Sequence, residues 1–271
     1  MPAMTRRAFL SAASASAGGG LVVLACGAAE ASAAVPLRGR PRRPRVYNRT
    51  EWGAAPPKSK ADVVGHAPDR LVVHHTATAN TDDCDLDAAF RLSRSIQRYH
   101  MGHNGWEDIG EQFTVSRGGH IMEGRNRTLP ALAAGGLAVG AQAADHNDHT
   151  LGIETEGTYM TELPPAAQLG SLTALLAWLC ACYRLDPEQA IVGHRDLNRT
   201  SCPGDRLYDY LPRLRDDVAR RLGRRPTRLA EPEAPRLALP PAPPPEAIRP
   251  YEHGPAVGPR DRAARAAGLA P

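Results

Sequence analysis

Aromatic side chains are scarce in this chain: three Trp, three Phe and seven Tyr amount to 5% of 271 residues. Arginines cluster at Arg38, Arg40, Arg42, Arg43 and Arg45, and again from Arg213 to Arg228, with no aromatics interleaved. Nucleic-acid binding through stacked bases is therefore not expected. The formal charge of +4 is modest. A solvated tail, or a loose electrostatic hold on an anionic polymer such as the cell wall, explains the arginine runs better.

The N-terminal apolar run is short as well. A twin-arginine start, Thr5-Arg6-Arg7-Ala8-Phe9-Leu10, leads into a small and apolar run that Gly18-Gly19-Gly20 interrupts before Ala25. The run falls short of the roughly 20 residues a spanning helix needs, which speaks against a stable transmembrane anchor. Ala31-Ser32-Ala33 fits a small-x-small cleavage site. Residues 1–33 are thus expected to be a twin-arginine signal peptide, and the protein to be secreted to the cell wall or the extracellular space. Cys26, after Val23-Leu24-Ala25, makes a lipoprotein the secondary expectation.

Cysteine is sparse: Cys84, Cys180, Cys182 and Cys202 follow the signal segment. A disulfide from Cys84 to Cys180 or Cys182 is one reading in an oxidising compartment. The other is that Cys180 and Cys182 pack as small residues on a helix.

What is present suits one domain with appendages. At 271 residues and 42% hydrophobic content the chain can bury one good core, and a monomer is expected. Residues 34–46 read as a Pro/Arg-rich linker. Residues 47–222 carry the folded domain. After Arg225 lie twelve of the 25 prolines, so 223–271 reads as a Pro-rich disordered tail that cannot offset its ordering entropy.

Leu71-Val72-Val73 is patterned as a strand buried on both faces. Strand alternation sends the following His74 and His75 to opposite faces, so one of them can join a given site. Further on, His194 and Cys202 stand eight positions apart. Two imidazoles and a thiolate suit Zn²⁺, and three protein ligands leave a fourth position open, the arrangement of a catalytic zinc.

The spacing of Ala89, Leu92, Ile96 and Tyr99 predicts a helix over 85–99, with Asp83 or Asp85 as cap. Residues 112–115 and 120–123 form a hairpin about Gly118-Gly119. The stretch 129–150 reads as irregular, polar and glycine-rich, bordering the substrate cleft. In 151–158, alternation puts Glu154 and Glu156 on one face. That pattern is either a solvated strand face or an acid beside a metal. Leu169, Leu172, Leu175, Leu176, Leu179 and Tyr183 predict a strongly amphipathic helix over 165–183. A short strand at 190–192 and a helix over 208–222 complete the domain.

Several ordered motifs carry a resemblance. Arg49-Thr50-Glu51-Trp52-Gly53-Ala54, Val73-His74-His75-Thr76-Ala77, Gly105-Trp106-Glu107-Asp108-Ile109-Gly110, Glu123-Gly124-Arg125, Leu151-Gly152-Ile153-Glu154 and His194-Arg195-Asp196 through Cys202-Pro203-Gly204 are similar to those of peptidoglycan recognition proteins and type-2 N-acetylmuramoyl-L-alanine amidases. The resemblance implies an α/β fold with a mixed central β-sheet flanked by helices. It also implies zinc on His74, His194 and Cys202, peptidoglycan or muropeptides as partners, and hydrolysis of the amide between N-acetylmuramic acid and L-alanine. Glu111 stands where the family commonly has a tyrosine associated with amidase activity, and members without that tyrosine are often binding modules. The anhydro-muropeptide branch, which also lacks it, carries a catalytic glutamate at the position of Glu154. Glu154 is therefore the expected general base and Glu111 the reserve candidate. Thr200 matches the residue that helps hold the developing oxyanion, and Gln142 stands where many members place a cleft histidine. A peptidoglycan-binding module without turnover and a zinc endopeptidase are the competing functions.

Overall fold

The computed structural model describes residues 41–224. The signal segment, Cys26, most of the 34–46 linker and nearly all of the proline-rich tail lie outside the described residues. In chain order the elements are β1 (Val46–Tyr47), β2 (Val63–Val64), β3 (Arg70–His75), α1 (Leu86–Arg98), a π-helical turn (Tyr99–His103), β4 (Phe113–Val115), β5 (Ile121–Glu123), α2 (Thr128–Ala133), β6 (Leu137–Ala138), β7 (Thr150–Thr155), α3 (Ala166–Tyr183), α4 (Pro187–Ala190), β8 (Ile191–Gly193), a 3-10 turn (His194–Asp196) and α5 (Asp205–Arg221). The strands form a six-stranded sheet in the order β1-β5-β4-β7-β3-β8 and a two-stranded ribbon of β2 and β6. Only the β4–β5 pairing in the large sheet is antiparallel. The α/β architecture with a mixed central sheet flanked by helices is as expected.

The two sheet faces divide the work. Leu71, Val73, Phe113, Val115, Leu151 and Ile153 pack with Leu172, Leu175, Leu176 and Leu179 of α3 and Leu207, Leu211 and Leu214 of α5. The strand residues between these turn to the other face. There Met122 packs on Trp52 and on Ala89 of α1, and the Trp52 indole N–H donates to the Glu123 carbonyl at 2.8 Å. Trp52 thus lies fully inside the front layer. Nearby, the buried Asp108 carboxylate pairs with Arg49 at 3.1 Å and accepts from Gln97 and Asn126. A buried charge with this many partners is tolerable, whereas a lone one is not.

Asp85 caps α1 by accepting from the Ala88 N–H, and the hairpin forms as read, with Phe113 opposite Glu123. Other expectations need correcting. Stretch 129–150 is not wholly irregular, since it contains α2 and β6. Pro130 sits in the first turn of α2, where its missing N–H costs nothing, and β6 is too short for periodicity to reveal. Helix α3 keeps its leucines inward but is not amphipathic, because most of its other positions are small or apolar and none of its residues is charged. By length and composition it is apolar enough to cross a membrane, yet half of it is buried in the fold. Helix α5 begins three residues early, directly after Gly204. Val46 belongs to β1 rather than to the linker.

All four cysteines among the described residues are free thiols, so neither Cys84 pairing is formed. Burial pushes the Cys180 thiol up to about 12. Cys180 packs as a small apolar residue on α3, while Cys182 and Cys84 are exposed.

Candidate metal centre

Strand β3 ends at the sheet's carboxyl edge and carries His74 and His75 there. Alternation separates them as expected. His75 turns its ring towards Tyr159, whose N–H approaches Nδ1 at 3.4 Å, and His74 turns to the other face. Strand β8 runs beside β3 with Val73 level with Gly193, so His194, the next residue, emerges next to His74. Their ring centroids are 4.5 Å apart. The chain then loops back to place Cys202 Sγ 3.6 Å from His74 Nδ1. Ligand atoms of His74, His194 and Cys202 all lie within 4.8 Å of one another, and all three residues are buried.

Both imidazoles are oriented for a metal. His74 Nε2 lies 2.6 Å from Gln142 Oε1, and the Gln142 amide is itself fixed because its NH₂ donates to Thr150 Oγ1 at 2.7 Å. Gln142 oxygen therefore faces the ring and accepts from Nε2–H. His194 Nε2 lies 3.0 Å from Asn198 Oδ1, and Asn198 Nδ2 donates to the Ala144 carbonyl. In each ring this contact assigns the proton to Nε2 and makes Nδ1 the candidate ligand atom, the outer-sphere pattern of metal-bound histidines. The donor set fits Zn²⁺. Burial, and after it the neighbouring Glu154 carboxylate, hold the Cys202 thiol well above the usual range. Such a thiol ionises readily only with a cation beside it.

Gln142, at the position where many family members place a cleft histidine, lies behind His74 here. It is buried, 1% exposed, and crosses β7 where Gly152 offers no side chain. A Cβ on Gly152 would lie 2.5 Å from Gln142 Cγ. Gln142→Ala is expected to weaken zinc binding by about 10- to 100-fold by freeing the His74 tautomer, as a competition titration against a chromophoric chelator would measure.

Asn198 and Arg195 were not legible as site residues. Arg195 N–H donates to the Cys202 carbonyl at 3.1 Å, its guanidinium donates to the Ser201 carbonyl, and Asp205 pairs with it at 2.8 Å. It closes the loop between the two late ligands. Its place directly after His194 was the available signal.

The expected acids sit beside this cluster. Glu154, 2% exposed, is level with His74 on β3 and with Thr114 on β4, so it lies on the face that carries the metal ligand. The solvated reading of this strand face fails, because every residue of β7 is buried. Glu156 does not join the cluster; its carboxylate accepts the Arg117 N–H at 2.7 Å in the hairpin turn. Glu111 accepts from Thr114 Oγ1 at 3.1 Å. Burial first, and the charge of Glu154 second, hold its carboxyl well above the ordinary range. Thr200 lies two residues before Cys202, and its Oγ1 accepts the Cys202 N–H at 3.1 Å.

The chain is similar to known proteins. A family model described as N-acetylmuramoyl-L-alanine amidase matches residues 64–205. A pig protein of that name is 36% identical over 187 residues, which make up 67% of this chain but 30% of the pig protein, so the likeness spans under a third of that relative. The solved structure of Drosophila PGRP-LB superposes with a TM-score of 0.54 at 30% identity, covering 62% of this chain and 92% of that one. PGRP-LE, solved in complex with tracheal cytotoxin, a monomeric diaminopimelic acid-type peptidoglycan, gives a TM-score of 0.54 at 29% identity over 62% and 92% of the two chains. With the family model covering more than half of its length, the chain belongs to the N-acetylmuramoyl-L-alanine amidase family, in the company of the peptidoglycan recognition proteins.

Proposed function

We propose that the protein is an exported, zinc-dependent N-acetylmuramoyl-L-alanine amidase that cleaves the amide between the lactyl group of N-acetylmuramic acid and the L-alanine of the stem peptide. The observation that carries this reading is Glu154, a buried carboxylate on the same sheet face as His74, level with it in register. A module that only recognises peptidoglycan needs a groove but has no use for a buried base beside three metal ligands. The complex of PGRP-LE with tracheal cytotoxin supports muropeptides as the ligand class. Export rests on the Arg6-Arg7 start, and retention of the protein in the cytoplasm after fractionation of the producing cell would refute it.

His74, His194 and Cys202 would hold the zinc. The bound ion supplies Lewis acidity, towards the amide carbonyl and towards water. Glu154 takes the proton of the attacking water and returns it to the leaving amine. Burial first, and the charge of Glu154 second, push the Glu111 carboxyl above the ordinary range, which favours its use as a hydrogen-bond donor and leaves the base role to Glu154. The Thr200 hydroxyl donates to the developing oxyanion, its oxygen fixed by the Cys202 N–H. Thr200→Val is expected to lower kcat by about 10² with little change in KM, since a donor used in the transition state alone acts on turnover.

The test is to incubate purified, zinc-loaded protein with intact peptidoglycan and identify the amino termini released. New L-alanine termini are expected. Zinc bound without release would leave the recognition module, and termini from within the peptide cross-links would indicate an endopeptidase.

A further inference from the structure

Between β6 and β7 the chain turns at His146–His149, outside the metal centre described above. His146 Nδ1 lies 3.2 Å from His149 Nε2, with the rings nearly perpendicular at 72°. The other nitrogen of His149, Nδ1, lies 2.9 Å from Asp69 Oδ1. The side chains of His149 and Asp69 are 37% and 58% exposed, so ions reach them from solvent.

Two imidazole nitrogens at this separation either share one N–H···N bond or bind one cation together. Ligand nitrogens about 2.0–2.1 Å from a tetrahedral ion lie about 3.3 Å from each other, so the pair is already spaced for chelation. Asp69 favours this second use. A carboxylate on Nδ1 holds the proton there and leaves the Nε2 lone pair of His149 facing His146, the carboxylate–histidine–metal arrangement. A cation then replaces a single part-buried inter-ring hydrogen bond.

We infer that His146 and His149 form a second, solvent-open site for a divalent d-block cation such as Zn²⁺, with Asp69 behind His149 and solvent completing the coordination. The site is mechanically tied to the first. The His146 carbonyl accepts from Thr150 Oγ1 at 2.7 Å, and Thr150 Oγ1 accepts from Gln142 Nε2, whose amide oxygen faces His74. Occupation would stiffen the turn that supports the Gln142–His74 contact. The inference does not depend on the amidase reading, because it concerns binding alone.

Untagged, full-length protein stripped of metal is titrated with Co²⁺, followed by absorption, and with Zn²⁺ by calorimetry. Two equivalents are expected. The tighter one produces a thiolate-to-cobalt charge-transfer band that Cys202→Ser abolishes. The weaker one produces no such band, and His146→Ala and His149→Ala each weaken it at least tenfold with the first site intact. Asp69→Asn is expected to weaken it by about tenfold. Circular dichroism confirms that each surface variant is folded. A single equivalent in the wild type, or a second equivalent that persists in both histidine variants, overturns the proposal.

Discussion

Glu154→Gln is expected to fold, to bind one zinc at the buried centre, and to lose activity by up to about 10⁴ in kcat, the upper range for removal of a general base. Glutamine has the same shape and still hydrogen-bonds, so the packing of β7 between β4 and β3 is retained. What it cannot do is accept a proton. The variant also takes away a charge that, after burial, pushes both the Cys202 thiol and the Glu111 carboxyl up. Cys202 should therefore ionise more easily and zinc should bind at least as well as in the wild type. Activity on a soluble muropeptide, set beside zinc content, reads both effects. Full turnover in Glu154→Gln with loss in Glu111→Gln would transfer the base role to Glu111, and loss of zinc would make Glu154 a support for the metal centre.

The sequence made the three ligands visible because each follows a strong local pattern: an apolar strand ending in His74, and a short strand running into His194 with Cys202 eight residues on. The residues that orient them were hidden for a physical reason. Gln142 reaches His74 across 68 positions of chain, through space that exists only because Gly152 lacks a side chain. No periodicity encodes such an approach. Glu154 was ambiguous because alternation assigns it a face but does not say what covers that face. Its burial depends on what packs over that face in the folded chain, where it is 2% exposed. The strands β2 and β6 have no readable period because each is two residues long, and α3 departs from the amphipathic expectation because none of its residues is charged.

Cys202→Ser is expected to abolish both zinc binding at the buried centre and hydrolysis. The thiolate is the only anionic ligand of the three, and a serine hydroxyl cannot ionise in its place near neutral pH. Folding should survive, since Cys202 makes its contacts as a small buried residue, its Sγ accepting the His75 N–H at 3.4 Å, which a hydroxyl oxygen can also accept. The same thiol sets a pH dependence in the wild type. Its proton is held well above the usual thiol range by burial and by Glu154, so zinc must expel that proton on binding. Apparent zinc affinity should then rise as pH rises, by up to about tenfold per pH unit for one proton released, for as long as the apo thiol is protonated. Competition titrations between pH 6 and 8 measure the slope. A flat profile would mean that Cys202 is not a ligand, whatever the activity of the serine variant.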